Sequence, residues 1–114
     1  MNKLFITIFT LLFYASITLA DAVDDRLPPE TPDKLKASTR QMIQTGLKGD
    51  DVIKITRSML ENEFTIDNTL KAQQIIMKAH NKGLPIKPLE NKAFEGMTKN
   101  VKAVRIVRAM EIVL

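Results

Sequence analysis

From Thr31 to the C-terminus, apolar residues recur every three or four positions in short runs, and Gly, Pro and Asn residues separate one run from the next. This spacing is typical of amphipathic α-helices. A half-buried strand would instead alternate apolar and polar residues, and no segment sustains that alternation. The connections are short, which favours antiparallel neighbours. The sequence therefore predicts an all-α fold, a small bundle or right-angled array of about five short helices.

Capping residues predict where these helices begin and end. Asp50 is expected to be the N-cap of the second helix, Thr65 or Asp67 of the third, and Asn100 of the last, because their side chains can accept hydrogen bonds from free amides. Gly96 is expected to close the fourth helix. The third helix has apolar residues over more than half of its circumference, which predicts the most buried element, with Met77 in the core.

A faint internal duplication accompanies this pattern. The run 54–59 resembles the run 105–110 at an offset of 51, and Gly46-Leu47-Lys48 resembles Gly96-Met97-Thr98 at an offset of 50. The pairing predicts two similar helical hairpins around a central helix.

The first 20 residues predict a secretory signal peptide. A short start with Lys3 precedes an apolar run from Leu4 to Tyr14, and small or mildly polar residues follow. Cleavage after Ala20 is favoured, with cleavage after Ala22 as the alternative. We therefore expect an exported protein, periplasmic or extracellular. An uncleaved N-terminal helix that tethers the chain to a membrane is the competing interpretation.

Beyond the signal, the chain divides into residues 21–33 and 34–114. Residues 21–33 hold five acidic residues, one Arg and three Pro, which predicts a flexible, solvated leader. Residues 34–114, the predicted helical domain, hold 15 basic and eight acidic residues. The acidic leader is therefore also suited to lie back on this basic domain.

Several chemistries have no residues to support them. The chain has no Cys and one His, which excludes disulfide scaffolds, thiol enzymes and zinc ribbons. His80 falls at the predicted end of the third helix, where an imidazolium favours the negative end of the dipole. Asp50 and Asp51 are adjacent and better explained by helix capping than by metal binding. We expect no enzyme activity, cofactor or metal, and a small enzyme that uses His80 is the weaker alternative.

Basic residues give the one candidate interaction surface. They lie on the polar sides of the second and last predicted helices and comprise Lys54, Arg57, Lys99, Lys102, Arg105 and Arg108. Export argues against nucleic acid as a partner, so an unknown protein or an anionic envelope surface is expected. The predicted function is binding or structural interaction rather than catalysis.

The C-terminus is apolar where a frayed helix end is expected to be polar. Ile112, Val113 and Leu114 are therefore expected to be buried, either within the domain or in a homodimer.

Overall fold

The computed structural model describes residues 22–114, which are helical throughout apart from short turns. No strand occurs in this range, and the predicted all-α bundle is confirmed. The predicted signal peptide, residues 1–20, and the favoured cleavage position after Ala20 lie outside the described residues. The helices are α1 (22–26), α2 (Asp33–Gln44), α3 (Gly49–Glu61), α4 (Ile66–Asn81), α5 (Lys87–Thr98) and α6 (Ala103–Val113).

The helices form two rows. In one row α2 contacts α4 and α4 contacts α6, and in the other α3 contacts α5. Contacts of α2 with α3, α3 with α4 and α5 with α6 join the rows. Each helix therefore packs on the helices one or two places along the chain, which is the contact pattern of a short helical array.

The main core lies between the rows and draws on every helix from α2 to α6. Helix α4 contributes the longest set of buried residues, as the sequence predicted. Met77 is only partly buried, however, and packs on the edge of the core. Ile76, its neighbour, is 2% exposed and occupies the central position instead. The apolar residues of α4 surround so much of the helix that sequence spacing alone does not locate the centre of its buried side.

The acidic leader differs from the expected solvated segment. Its residues 22–26 are helical, and Val23 and Leu27 are buried against Ile53 of α3. Asp24 pairs with Arg40, at 2.5 Å, and Arg26 pairs with Asp50, at 2.6 Å. The leader thus lies on the basic domain, the second of the two arrangements that its charge suggested, because two apolar side chains supply a contact that composition does not reveal.

The ends of α2, α3, α4 and α5 share one geometry. Each is followed by a residue with positive φ, and the next amide donates to the carbonyl five residues back, which is the Schellman arrangement. The positive-φ residues are Gly46, Glu63, Gly83 and Asn100. The donating amides belong to Leu47, Phe64, Leu84 and Val101, with N···O distances from 2.9 to 3.4 Å.

These turns reveal a different internal repeat from the one expected. Gly46 precedes Gly83 by 37 positions, and Glu63 precedes Asn100 by 37. The repeat therefore relates the hairpin α3–α4 to the hairpin α5–α6. The offset of 50 is wrong, because Gly46 lies in a turn whereas Gly96 lies inside α5. That offset matched charge and apolar patterns that any two amphipathic helices of this composition share.

One of the predicted N-cap residues is confirmed by the structure. The Thr65 side chain accepts from the Asn68 amide at 3.1 Å, so Thr65 is the N-cap of α4. Helix α3 already begins at Gly49, which places Asp50 in its first turn, and Asn100 belongs to the turn after α5 rather than to the start of α6. Backbone geometry, not side-chain capping, sets these two boundaries.

The apolar C-terminus is divided between the core and solvent. Leu114 packs on the main core, whereas Ile112 is 80% exposed and Val113 is 45% exposed. None of the helices in residues 22–114 has the length and apolar character needed to span a bilayer.

Candidate binding surface

The six basic residues predicted as an interaction face are all exposed, but the structure does not bring them together. Lys54 and Arg57 lie on α3, and the other four lie on or beside α5 and α6. Only Lys99 and Arg105 line the same concave surface.

That surface is a groove of about 250 Å³ between α5 and α6, here called the basic groove. Its lining is mostly apolar, with cationic side chains at the edges. Lys92, which is not among the six predicted residues, also lines it. The lining residues are Lys92, Glu95, Gly96, Lys99, Val101, Arg105, Ile106 and Ala109.

Gly96 creates the floor of the basic groove. A Cβ atom at this position would lie 2.6 Å from Cγ1 of Ile106 and 2.9 Å from its Cδ1. The absence of a side chain therefore lets α6 approach α5 closely. The glycine that the sequence assigned to a helix end is in fact a packing residue in the interior of α5.

The charge of the basic groove is positive. Lys92, Lys99 and Arg105 surround it, and Glu95 is its one carboxylate. Lys99 Nζ donates to Glu95 Oε1 at 3.0 Å, and this hydrogen bond is the main reason why the pKa of Glu95 is lowered. Glu95 is thus ionised and held by Lys99, which leaves Lys92 and Arg105 as the cations of the groove without an ion pair among residues 22–114.

The remaining predicted residues occupy separate sites. Lys54 Nζ lies 5.7 Å from the centre of the Phe94 ring, a cation–π distance that joins α3 to α5. Arg57 Nε donates to Glu61 Oε1 at 2.9 Å on the exposed side of α3. Lys102 lines a second concavity beside Asn62 and Glu63, and Arg108 a third beside Asn68 and Lys71.

His80 performs a structural role in the described chain. Its Nε2 lies 2.9 Å from the carbonyl oxygen of Thr45, the C-cap residue of α2. An Nε2–H in this position donates to that carbonyl, which satisfies one of the acceptors left free at a helix end. The ring therefore fastens the end of α4 to the end of α2.

The two adjacent aspartates at the start of α3, Asp50 and Asp51, interact with different residues. Asp50 pairs with Arg26, and no cluster of three metal-ligating side chains occurs within residues 22–114. Asp51 lies close enough to Glu90 of α5 for its charge to act on that carboxyl group. The pKa of Glu90 is raised, first by burial and then by the charge of Asp51, while Lys87 and Lys54 lower it.

A buried polar network joins three helices. Gln73 of α4 is fully buried; its Nε2 donates to the hydroxyls of Thr39 and Thr56 at 2.9 and 3.0 Å, and its Oε1 accepts from Ser38 at 2.6 Å. All four side chains are satisfied, so the network fixes α2, α3 and α4 in register. The network stabilises the array. The basic groove is a separate feature and is the candidate binding surface.

Comparisons with protein families, with curated proteins and with solved structures find no match to the chain.

Proposed function

We propose that the chain is an exported, non-enzymatic protein that binds a partner through the basic groove between α5 and α6. The observation that carries the proposal is the combination of an apolar lining with Lys92, Lys99 and Arg105 at the edges. Apolar contact supplies affinity, and the cations select a partner with acidic groups.

The N-terminal sequence is the support for export. The charged start, the apolar run and the small residues before Asp21 support secretion, and the fold suits cleavage after Ala20. Cleavage after Ala22 would place the new ammonium group on Val23, whose side chain is fully buried. Mass spectrometry of the protein from a bacterial periplasmic fraction should find Asp21 at the N-terminus, and Met1 would instead support the membrane-tethered alternative.

Site-specific photo-crosslinking tests the binding surface. A photoreactive residue at Ala109, in the groove, should form discrete cross-links in cells of the native host that export the full chain. The same residue at the exposed Ala37 of α2 is the control and should form few. Equal cross-linking at both positions, or none at Ala109, would contradict the proposal.

A homodimer is the second candidate, and the exposure of Ile112 and Val113 favours it. Contact through these two residues would bury apolar surface that the single chain leaves in solvent. Light scattering of the mature protein should then give twice the chain mass, and Ile112→Ser should return it to the mass of one chain.

A further inference from the structure

The repeat places equivalent positions of the two hairpins in different surroundings. In the hairpin α3–α4, four positions that fill the core are Ile55, Met59, Phe64 and Ala72. Their equivalents 37 positions later line the basic groove, are partly or fully exposed, and are Lys92, Gly96, Val101 and Ala109. The basic groove therefore lies on the side of the hairpin α5–α6 that corresponds to the buried side of the hairpin α3–α4.

Residues at the end of α6 extend this exposed side of the second hairpin. Ile75 and Ile76 of α4 are 7% and 2% exposed, and their equivalents Ile112 and Val113 are 80% and 45% exposed. The first hairpin is covered where α5 packs on α3 and α6 packs on α4. The basic groove and the exposed side chains of Ile112 and Val113 together form an open surface at this end of the array, here called the end face.

We infer that the end face binds an amphipathic helix of another protein, which lies beside α5 where the next helix of its row would lie. The inference rests on the proposed function and specifies the chemistry of its partner. An apolar stripe on the partner helix covers α5 in the same way that α5 covers α3. Acidic residues beside the stripe pair with Lys92 and Arg105, since Lys99 already holds Glu95.

A second copy of the chain fits the end face less well. Two end faces related by a two-fold axis would place one surface with Lys92, Lys99 and Arg105 against a second surface of the same charge. Like charges at an interface oppose association. Charge complementarity therefore favours an acidic helix over self-association.

Two synthetic helical peptides of about 18 residues test the inference, because this length supports helix formation. Both carry one Leu stripe; Glu flanks the stripe in the first and Lys in the second. Isothermal titration into the full mature chain should give one saturable site for the Glu-flanked peptide and none for the Lys-flanked peptide. Arg105→Glu and Lys92→Glu should each weaken binding about tenfold, whereas Lys48→Glu, the same charge change at an exposed residue before α3, should not.

Three results would overturn the inference: no binding of the Glu-flanked peptide, equal binding of both peptides, or an affinity that Arg105→Glu leaves unchanged. A homodimer that Val101→Asp dissociates would also overturn it, because a second copy would then occupy the end face. Cross-links at Ala109 without peptide binding would reject the helical partner but retain the proposed function. Absence of both would reject both.

Discussion

Two buried threonines differ in whether their hydroxyl groups have partners. Thr31 Oγ1 is buried and has no hydrogen-bond partner within residues 22–114. Thr39 Oγ1 donates to the Leu35 carbonyl and accepts from Gln73. Thr31→Val should therefore raise the free energy of unfolding by about 1 kcal/mol, and Thr39→Val should lower it by about 1–3 kcal/mol. Urea denaturation of both variants measures the difference, and equal effects would show that the two hydroxyls have similar surroundings.

The raised pKa of Glu90 makes the stability of the folded chain depend on pH. Its pKa in the folded chain is raised above the ordinary value of 4.5 by burial and by Asp51. The folded state then holds the proton more tightly than the unfolded state, so stability is complete below the ordinary pKa and falls as pH rises through the raised pKa. Glu90→Gln removes this loss. Its Tm should exceed that of the unaltered chain at neutral pH and match it at acidic pH.

Calorimetric melting across this pH range measures the effect, with Glu30→Gln at an exposed carboxylate as the control. A stabilisation by Glu90→Gln that is the same at every pH would show that lost charge is not its cause.

At the scale of single elements, the approach of α5 to α6 depends on Gly96. In Gly96→Ala the new Cβ meets a stiff, buried Ile106 side chain, and such overpacking costs about 1–3 kcal/mol. Alanine regains up to about 1 kcal/mol of helix propensity. The net effect should lower Tm by several degrees.

Gly49→Ala is the control, because its Cβ would lie 3.7 Å from Ile43, an ordinary contact, and Tm should stay unchanged or rise. An unchanged Tm for Gly96→Ala would show that α6 can move away at no cost.

The all-α class and the five helices α2–α6 could be predicted from apolar spacing, but α1 and the turns could not. Glu63 and Asn100 adopt positive φ without being glycine, so two of the four equivalent turns lack the signal that marks the others. Gly96 carries that signal and lies inside a helix. The residue type determines which backbone conformations are accessible at a position. The packing of neighbouring helices determines which of these conformations is adopted.

The lining of the basic groove was predicted only in part for a related reason. Lys99 and Arg105 were identified from charge and helical spacing, and both line the basic groove. Lys92 was not identified, because its position in the groove depends on how α5 packs on α6. Lys54 and Arg57 share the same charge pattern but contact Phe94 and Glu61 on other sides of the molecule. The open end face likewise requires the repeat, which only the turn geometry reveals.

At the scale of the whole molecule, the array is closed at one end by α1 and open at the other. Val23 and Leu27 are 0% and 3% exposed and cover Ile53. Burial of each such side chain contributes about 1.5–3 kcal/mol, an upper estimate. A chain that begins at Pro28 should therefore melt about 10 °C lower than one that begins at Asp21. Circular dichroism measures both, and equal melting temperatures would mean that α1 does not stabilise the array.

The central claim is that the open end of the array, formed by α5 and α6, is the binding surface. NMR chemical-shift mapping of the isotope-labelled mature chain with the Glu-flanked peptide tests it most directly. We expect saturable shifts at the amides of Val101, Arg105, Ala109 and Ile112, and little change at the closed end around Val23 and Ile53. Shifts centred on the closed end, or spread evenly over all the helices, would contradict it.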